Sequence, residues 1–234
     1  MSGILYGIGV GPGAGDLLTL RAVNILQKVD VILTASSPKN EYSLAFEAVK
    51  AHLKSDVFIE RADFPMTRDK AVLRDAWQKV AEKAEKHLSN NKDCAFLTIG
   101  DPLLYSTFGY LMRTLRSINP LSNIEIIPGI TSFQAAAAAT QTILCEGNEN
   151  LLILPGTCSE EELAQGMEMA DTAVILKAYR NFPAIRNALQ KTSRLSSSIM
   201  ASCVEQNNQS IITDISAQNQ IPPYMSLILS KPDR

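Results

Sequence analysis

Three short clusters in the sequence join glycine to turn-forming and hydroxyl or carboxylate residues. The first is Gly7-Ile8-Gly9-Val10-Gly11-Pro12-Gly13-Ala14-Gly15-Asp16, a run in which missing side chains let the backbone approach a ligand closely. As a dinucleotide fingerprint, Gly9-x-Gly11-x-x-Ala14 fits the glycine spacing. The second strand, however, closes on Thr34-Ala35-Ser36 and offers no acid to a ribose hydroxyl. As the glycine loop common among methyltransferases, Gly11-x-Gly13-x-Gly15 calls for an acid two places earlier, where Gly9 stands. The plain structural alternative is a tight strand-to-helix turn with Asp16 capping the helix that follows.

The second cluster, Phe96-Leu97-Thr98-Ile99-Gly100-Asp101-Pro102-Leu103-Leu104-Tyr105-Ser106-Thr107, is an apolar run closed by a Gly-Asp-Pro turn with three hydroxyl residues behind it. The third, Ile127-Pro128-Gly129-Ile130-Thr131-Ser132, repeats that plan with two hydroxyls at a helix start. Asp-Pro and Pro-Gly are ordinary turn signals taken singly. Ligands nevertheless bind at the carboxyl ends of parallel strands, so three such ends on one sheet can converge on one pocket. Hydrolase chemistry finds no footing: there is no Gly-x-Ser-x-Gly elbow, and neither His52 nor His87 stands in a triad-like motif. Cys94, Cys145, Cys158 and Cys203 are scattered with no C-x-x-C, which argues for reduced thiols packed as small hydrophobes and against a zinc site.

The elements that must hold these clusters read as an alternation of strands and helices. Strands are expected at Ile4–Val10, Val31–Thr34, Val57–Ile59, Cys94–Ile99 and Ile124–Ile127. Between them Leu73, Trp77, Val80, Ala81, Ala84 and Leu88 fall on one helical face, as do Phe108, Leu111, Met112 and Leu115. This pattern predicts crossovers and a largely parallel sheet. The second half predicts strands at Leu151–Leu154, Thr172–Leu176, Ser198–Cys203, Ser210–Thr213 and Met225–Leu229 with fewer helices, hence a mixed sheet. Ser159-x-x-Glu162 is a capping box, and Pro183 suits a first helical turn. The expected organisation is two α/β domains, 1–138 and 139–234, joined just beyond the alanine run 135–139.

Composition sets the outer limits. With 46% hydrophobic residues and Lys+Arg 22 against Asp+Glu 24, the chain can bury sizeable cores and carries no overall field suited to nucleic acid or a membrane surface. The start Met1-Ser2-Gly3-Ile4-Leu5-Tyr6 lacks signal-peptide character, and no uncharged apolar run reaches the ~20 residues of a membrane span. A cytoplasmic location is expected.

In order and spacing the three clusters together resemble the tetrapyrrole (corrin and porphyrin) methylase superfamily over essentially the whole chain. Phe64-Pro65-Met66-Thr67-Arg68-Asp69, followed by Leu73 and Trp77, together with Gly100-Asp101-Pro102-Leu103-Leu104-Tyr105-Ser106-Thr107-Phe108, resembles its C20-methylating branch. The resemblance implies a two-domain tetrapyrrole methylase fold with S-adenosyl-L-methionine in the cleft between the domains, and a homodimer. It also implies methylation of C20 of precorrin-2 or cobalt-factor II in cobalamin biosynthesis. Cofactor contacts carry over to Pro12, Ile99, Gly100, Asp101, Leu104, Tyr105, Ser106, Thr107, Thr131 and Ser132, with Lys177, Ala178, Cys203, Val204, Tyr224, Met225 and Ser226 from the second domain. Asp101 and Tyr105 are the candidates for a general base, with fixing the turn or orienting the substrate as their other possible roles. An anionic tetrapyrrole rim would be met by Arg68, Lys177 and Arg180. The rival readings are a methylase of the same fold acting on uroporphyrinogen III, another corrin carbon, a modified histidine or ribosomal RNA; a nicotinamide-dependent dehydrogenase; and a binding protein without turnover.

Overall fold

The structure is a computed structural model that describes residues 2–36, 44–65, 67 and 69–232. It divides into two compact units, Met1–Thr131 and Ser132–Arg234.

The first unit is built on strands β1 (Ile4–Gly9), β2 (Val31–Ser36), β3 (Phe58–Asp63), β4 (Cys94–Thr98) and β5 (Asn123–Ile127). They form one sheet in the order β3-β2-β4-β1-β5, parallel throughout. Each central strand is apolar on both faces because both are covered, and its residues alternate between two cores. Leu5, Val31, Leu33, Cys94 and Phe96 pack under helices α3 (Lys70–Ser89) and α4 (Phe108–Ile118). Ile8, Ile32, Ala95 and Leu97 pack under α1 (Leu20–Leu26) and α2 (Leu44–Val49). The helical stripe from Val80 to Leu88 is buried as expected, while Leu73 and Trp77 stay partly exposed. Trp77 stacks on Tyr110 of α4 with ring centroids 4.2 Å apart.

Position 7 must be glycine for this packing, since a Cβ there would lie 2.7 Å from Phe108 Cε2, inside the ring that fills the space. Burial, with Asp93 and Asp30 nearby, pushes the Cys94 thiol up to about 12, so it packs as a neutral small hydrophobe. The Asp16 cap considered above does not form. Gly15–Leu17 is a single 3-10 turn, and it is Thr19 whose Oγ1 accepts from the Ala22 amide at 3.2 Å to start α1. A serine-like side chain one turn later wins because the glycine turn is longer than a direct strand-to-helix step.

In the second unit, β6 (Leu151–Pro155), β7 (Thr172–Leu176), β8 (Ser198–Ser202), β9 (Ser210–Ile212) and β10 (Ser226–Ser230) form a sheet in the order β6-β7-β10-β8-β9. β6 and β7 are parallel, and β10 runs antiparallel to both its neighbours. The sheet is therefore mixed, as the thinner helical spacing suggested. Helices α5 (Ser132–Thr140), α6 (Glu160–Met169) and α7 (Phe182–Lys191) complete the unit. The Ser159 capping box is present in full, and Pro183 occupies the first turn of α7. Among the described residues no helix is long and apolar enough to cross a membrane.

Candidate functional site

At the carboxyl end of the first sheet the three sequence clusters meet as one interlocked set of turns. Beyond the last rung of the β1–β4 ladder, the Val10 amide donates to Thr98 O at 2.9 Å. Gly11 and Gly100 then exchange amide-to-carbonyl bonds of 3.4 and 2.7 Å, an isolated antiparallel bridge. Both residues have left-handed backbone, at φ 74° and 72°, the region glycine enters without strain. The Pro-Gly turn after β5 closes against them. A Cβ on Gly9 would lie 2.6 Å from Gly129 N, and one on Gly129 would lie 2.7 Å from Gly9 C and collide with the Gly100 carbonyl. The glycines at 9 and 129 are thus required by backbone-to-backbone packing between turns. Gly100 differs, because the position of its absent Cβ faces open space.

Asp101 binds this assembly together. Its Oδ1 accepts from the Leu103 amide at 2.8 Å and its Oδ2 from the Gly129 amide at 3.2 Å, joining the β4 turn to the β5 turn. Both oxygens are engaged by main chain, which favours the turn-fixing role over that of a proton acceptor. Hydrogen bonds to a charged group are worth roughly 1.5–3 kcal/mol each when buried, and less at a half-exposed site. Asp101→Ala is therefore expected to lose about 2 kcal/mol in urea unfolding, and Asp101→Asn, which keeps one acceptor, about half as much. The hydroxyls of Thr98 and Ser106 lie 2.9 Å apart, and Ser106 Oγ accepts from the Phe108 amide at 3.1 Å, closing the turn onto α4. Between these anchors Leu103 and Tyr105 project outward. Tyr105 holds φ 51°, a costly conformation for a bulky residue.

The remaining first-unit candidates surround this core. Pro12 is buried, Ile99 and Leu104 are half-buried, Thr107 is exposed, and Thr131 is half-buried at the unit's end. Ser132 opens α5 in the second unit. Arg68, and Met66 in the same segment, lie outside the described residues.

The second unit has a comparable edge. Because β10 is antiparallel to β7 and β8, the end of β7, the end of β8 and the start of β10 share one side of the sheet. The next residue at each, Lys177 (φ 58°), Cys203 (φ 49°) and Met225 (φ 69°), is a non-glycine in left-handed conformation. Such residues cost on the order of 1 kcal/mol each and cluster where a site demands a particular shape. Lys177 and Arg180 are exposed at the two ends of the short 3-10 turn that buries Ala178. The Arg180 guanidinium lies 4.9 Å from the centre of the Tyr179 ring, which meets Tyr224 edge-on at 5.2 Å. Desolvation, with Tyr179 adding and Arg180 opposing, pushes the Tyr224 pKa up although the residue is 62% exposed. Cys203, Val204 and Ser226 are buried, so any ligand contact from them is by main chain. Sequence reasoning missed Gly9 and Gly129 as packing partners and missed Tyr179; it placed Ser202 at a strand end near the cofactor pocket but not its hydroxyl pairing with Ser226. Only the Pro-Gly pair carried a visible signal, because the others matter through long-range neighbours.

Glycine turns, neutral hydroxyls and partly exposed apolar side chains at the carboxyl end of a parallel sheet define an α/β protein that binds a small organic ligand. Residues 4–214 match the model of the tetrapyrrole (corrin/porphyrin) methylases, and the chain belongs to that family. It is 34% identical over 202 residues to the cobalt-precorrin-2 C(20)-methyltransferase of Salmonella typhimurium, covering 86% of this chain and 84% of that one. It is 40% identical over 173 residues to the probable cobalt-precorrin-2 C(20)-methyltransferase of Methanocaldococcus jannaschii, covering 74% and 71%. Among solved structures, uroporphyrin-III C-methyl transferase from Thermus thermophilus, complexed with S-adenyl homocysteine, has a TM-score of 0.71. It shares 18% identity, with 97% of each chain covered. At that identity the likeness establishes the fold.

Proposed function

We propose that this protein is an S-adenosylmethionine-dependent C-methyltransferase acting on C20 of precorrin-2 or its cobalt-bearing counterpart in cobalamin biosynthesis. The observation that carries the reading is the match of 202 residues to a C20-methyltransferase over most of both chains. The interlocked glycine turns support it.

The residues suit the cofactor. Gly100 is backed by open space where a side chain would stand, and around it lie hydroxyls, main-chain groups and the half-buried Ile99 and Leu104. Apart from the Asp101 carboxylate, which main-chain amides hold, that is a neutral set fitted to an adenosyl group and an amino-acid tail. When bound, S-adenosylmethionine supplies an electrophilic methyl group. The chain's own task is then to hold donor and ring close and in line, for which no nucleophilic side chain is required. The contacts we assign are Pro12, Ile99, Gly100, Leu104, Tyr105, Ser106, Thr107, Thr131 and Ser132, and, from the second unit, Lys177, Ala178, Cys203, Val204, Tyr224, Met225 and Ser226. Asp101 serves them by fixing the turn. Tyr105, exposed and strained, is the better placed of the two side chains to relay the proton that C20 must lose, its hydroxyl passing its own proton to solvent as it takes that one up. Lys177 and Arg180 are assigned to carboxylates of the ring. We further assign a homodimer, which rests on family resemblance, and a cytoplasmic location, which the likeness to biosynthetic methyltransferases supports.

Anaerobic incubation with S-adenosylmethionine and each ring, read by mass spectrometry and NMR, tests the proposal. One added methyl at C20 is expected, and the faster ring identifies the substrate. Absence of methyl transfer to both rings, under conditions where a known methylase transfers, overturns it.

A further inference from the structure

The turn that carries Tyr224 and Met225 in the second unit is held by a hydrogen-bond chain buried in the sheet. Ser202 and Ser226 are the last residue of β8 and the first of β10, paired directly across the ladder. Their hydroxyls lie 2.7 Å apart, and Ser226 Oγ also lies 2.6 Å from the Pro223 carbonyl. A carbonyl only accepts, so the single Ser226 proton goes to Pro223, and the bond between the two hydroxyls has Ser202 as its donor. The chain runs one way, from Ser202 to Ser226 to Pro223, with both serines at most 3% exposed.

Immediately past this pair, Cys203 and Met225 both take left-handed backbone, and the Cys203 amide donates to Met225 O at 3.1 Å. Two adjoining strained residues do not hold that shape unaided. Pulling the Pro223 carbonyl down onto Ser226 folds the intervening residues into a tight turn. This leaves the Tyr224 ring outside, against Tyr179. The Pro223 carbonyl sets the direction of the chain, and Ser202 is its terminal donor, bracing the Ser226 oxygen from the neighbouring strand.

We propose that Ser202 is a positioning residue for the cofactor site. Its donated hydrogen bond keeps Tyr224 and Met225 in their strained, ligand-facing turn. This rests on the reading above that the 224–226 segment contacts S-adenosylmethionine.

The test uses the full-length protein as Ser202→Ala and Ser202→Thr, the second restoring the hydroxyl. Two quantities are read: amide hydrogen exchange at Cys203 without ligand, and calorimetric affinity for S-adenosylhomocysteine. A thermal melt accompanies both. Ser202→Ala is expected to speed Cys203 exchange and weaken S-adenosylhomocysteine about 5- to 10-fold, as for loss of one buried hydrogen bond. KM for the donor rises more than kcat falls, and Ser202→Thr recovers most of the affinity. Unchanged exchange overturns the proposal. So does faster exchange with wild-type affinity, or equal loss of affinity in both variants in step with a lowered melt, because each makes Ser202 merely structural. A folded wild-type protein that binds no S-adenosylhomocysteine overturns the cofactor reading and this proposal with it. Wild-type binding left intact in Ser202→Ala overturns this proposal alone.

Discussion

Gly129→Ala is expected to destabilise the first unit by about 3 kcal/mol and to lower methyl transfer about 100-fold, the upper end for overpacking and for an ångström-scale misplacement. The added carbon would meet Gly9 C at 2.7 Å and Gly9 Cα at 2.8 Å, besides the Gly100 carbonyl. All three are main-chain atoms, so no side chain can swing aside. Gly9 is the last residue of β1, and Gly100 is tied to Gly11 by two hydrogen bonds. Relief therefore requires moving the Pro-Gly turn away and breaking the Asp101 bond to the Gly129 amide. Urea unfolding and initial rates check the two parts. Gly109→Ala is the control, since its added carbon meets only Arg113 Nη1 at 3.6 Å, and alanine in a helix is favoured by about 1 kcal/mol. If Gly129→Ala were no less stable than Gly109→Ala, the packing of the three turns described here would be wrong.

Phe108→Ala is expected to cost about 3–5 kcal/mol, the range for emptying a buried phenylalanine site. Its ring is fully buried, lies 5.9 Å from that of Phe96, and fills the slot opened by Gly7. Backbone strands cannot collapse into the void as loops can, so little of the cost is recovered. The effect reaches the site because the Phe108 amide is the donor to Ser106 Oγ. Loss of S-adenosylhomocysteine affinity should accompany the fall in urea midpoint. Retained stability would show that the ring is not a core residue of this sheet.

Most of the fold was legible because burial on both faces leaves a strong pattern. Runs such as Cys94–Thr98 and Thr172–Leu176 are apolar apart from one terminal threonine, and the first runs into Gly100-Asp101-Pro102. β3 was read too early and too short, at Val57–Ile59 where the strand is Phe58–Asp63. It is an edge strand, and Glu60, Arg61 and Asp63 can sit in it because one side is left to solvent. There Lys83 Nζ bonds Glu60 at 2.9 Å and the Arg61 carbonyl at 2.8 Å. The glycine, Gly-Asp-Pro and Pro-Gly-Ile-Thr-Ser clusters were visible as separate turns. What joins them was not visible, since Gly11 and Gly100 are distant in the chain and their bond involves no side chain. The same holds for Asp101, whose type is equally that of a base and of a turn clasp until its partners are known. In the second unit the left-handed Lys177, Cys203 and Met225 carry no signature, because their residue types are the opposite of what that conformation favours.

The reciprocal bond between Gly11 and Gly100 extends the hydrogen-bonded fabric of the sheet one step past its strands, into what would otherwise be two independent loops. A loop that must order itself around a ligand gives up roughly 1–2 kcal/mol of backbone entropy for each residue fixed. Here that ordering is complete at folding, before any ligand arrives. On the proposed assignment of Gly100 to the cofactor site, recognition by the first unit becomes a matter of shape offered in advance, and an adenosyl compound with a group too large for the space beside Gly100 is expected to be refused.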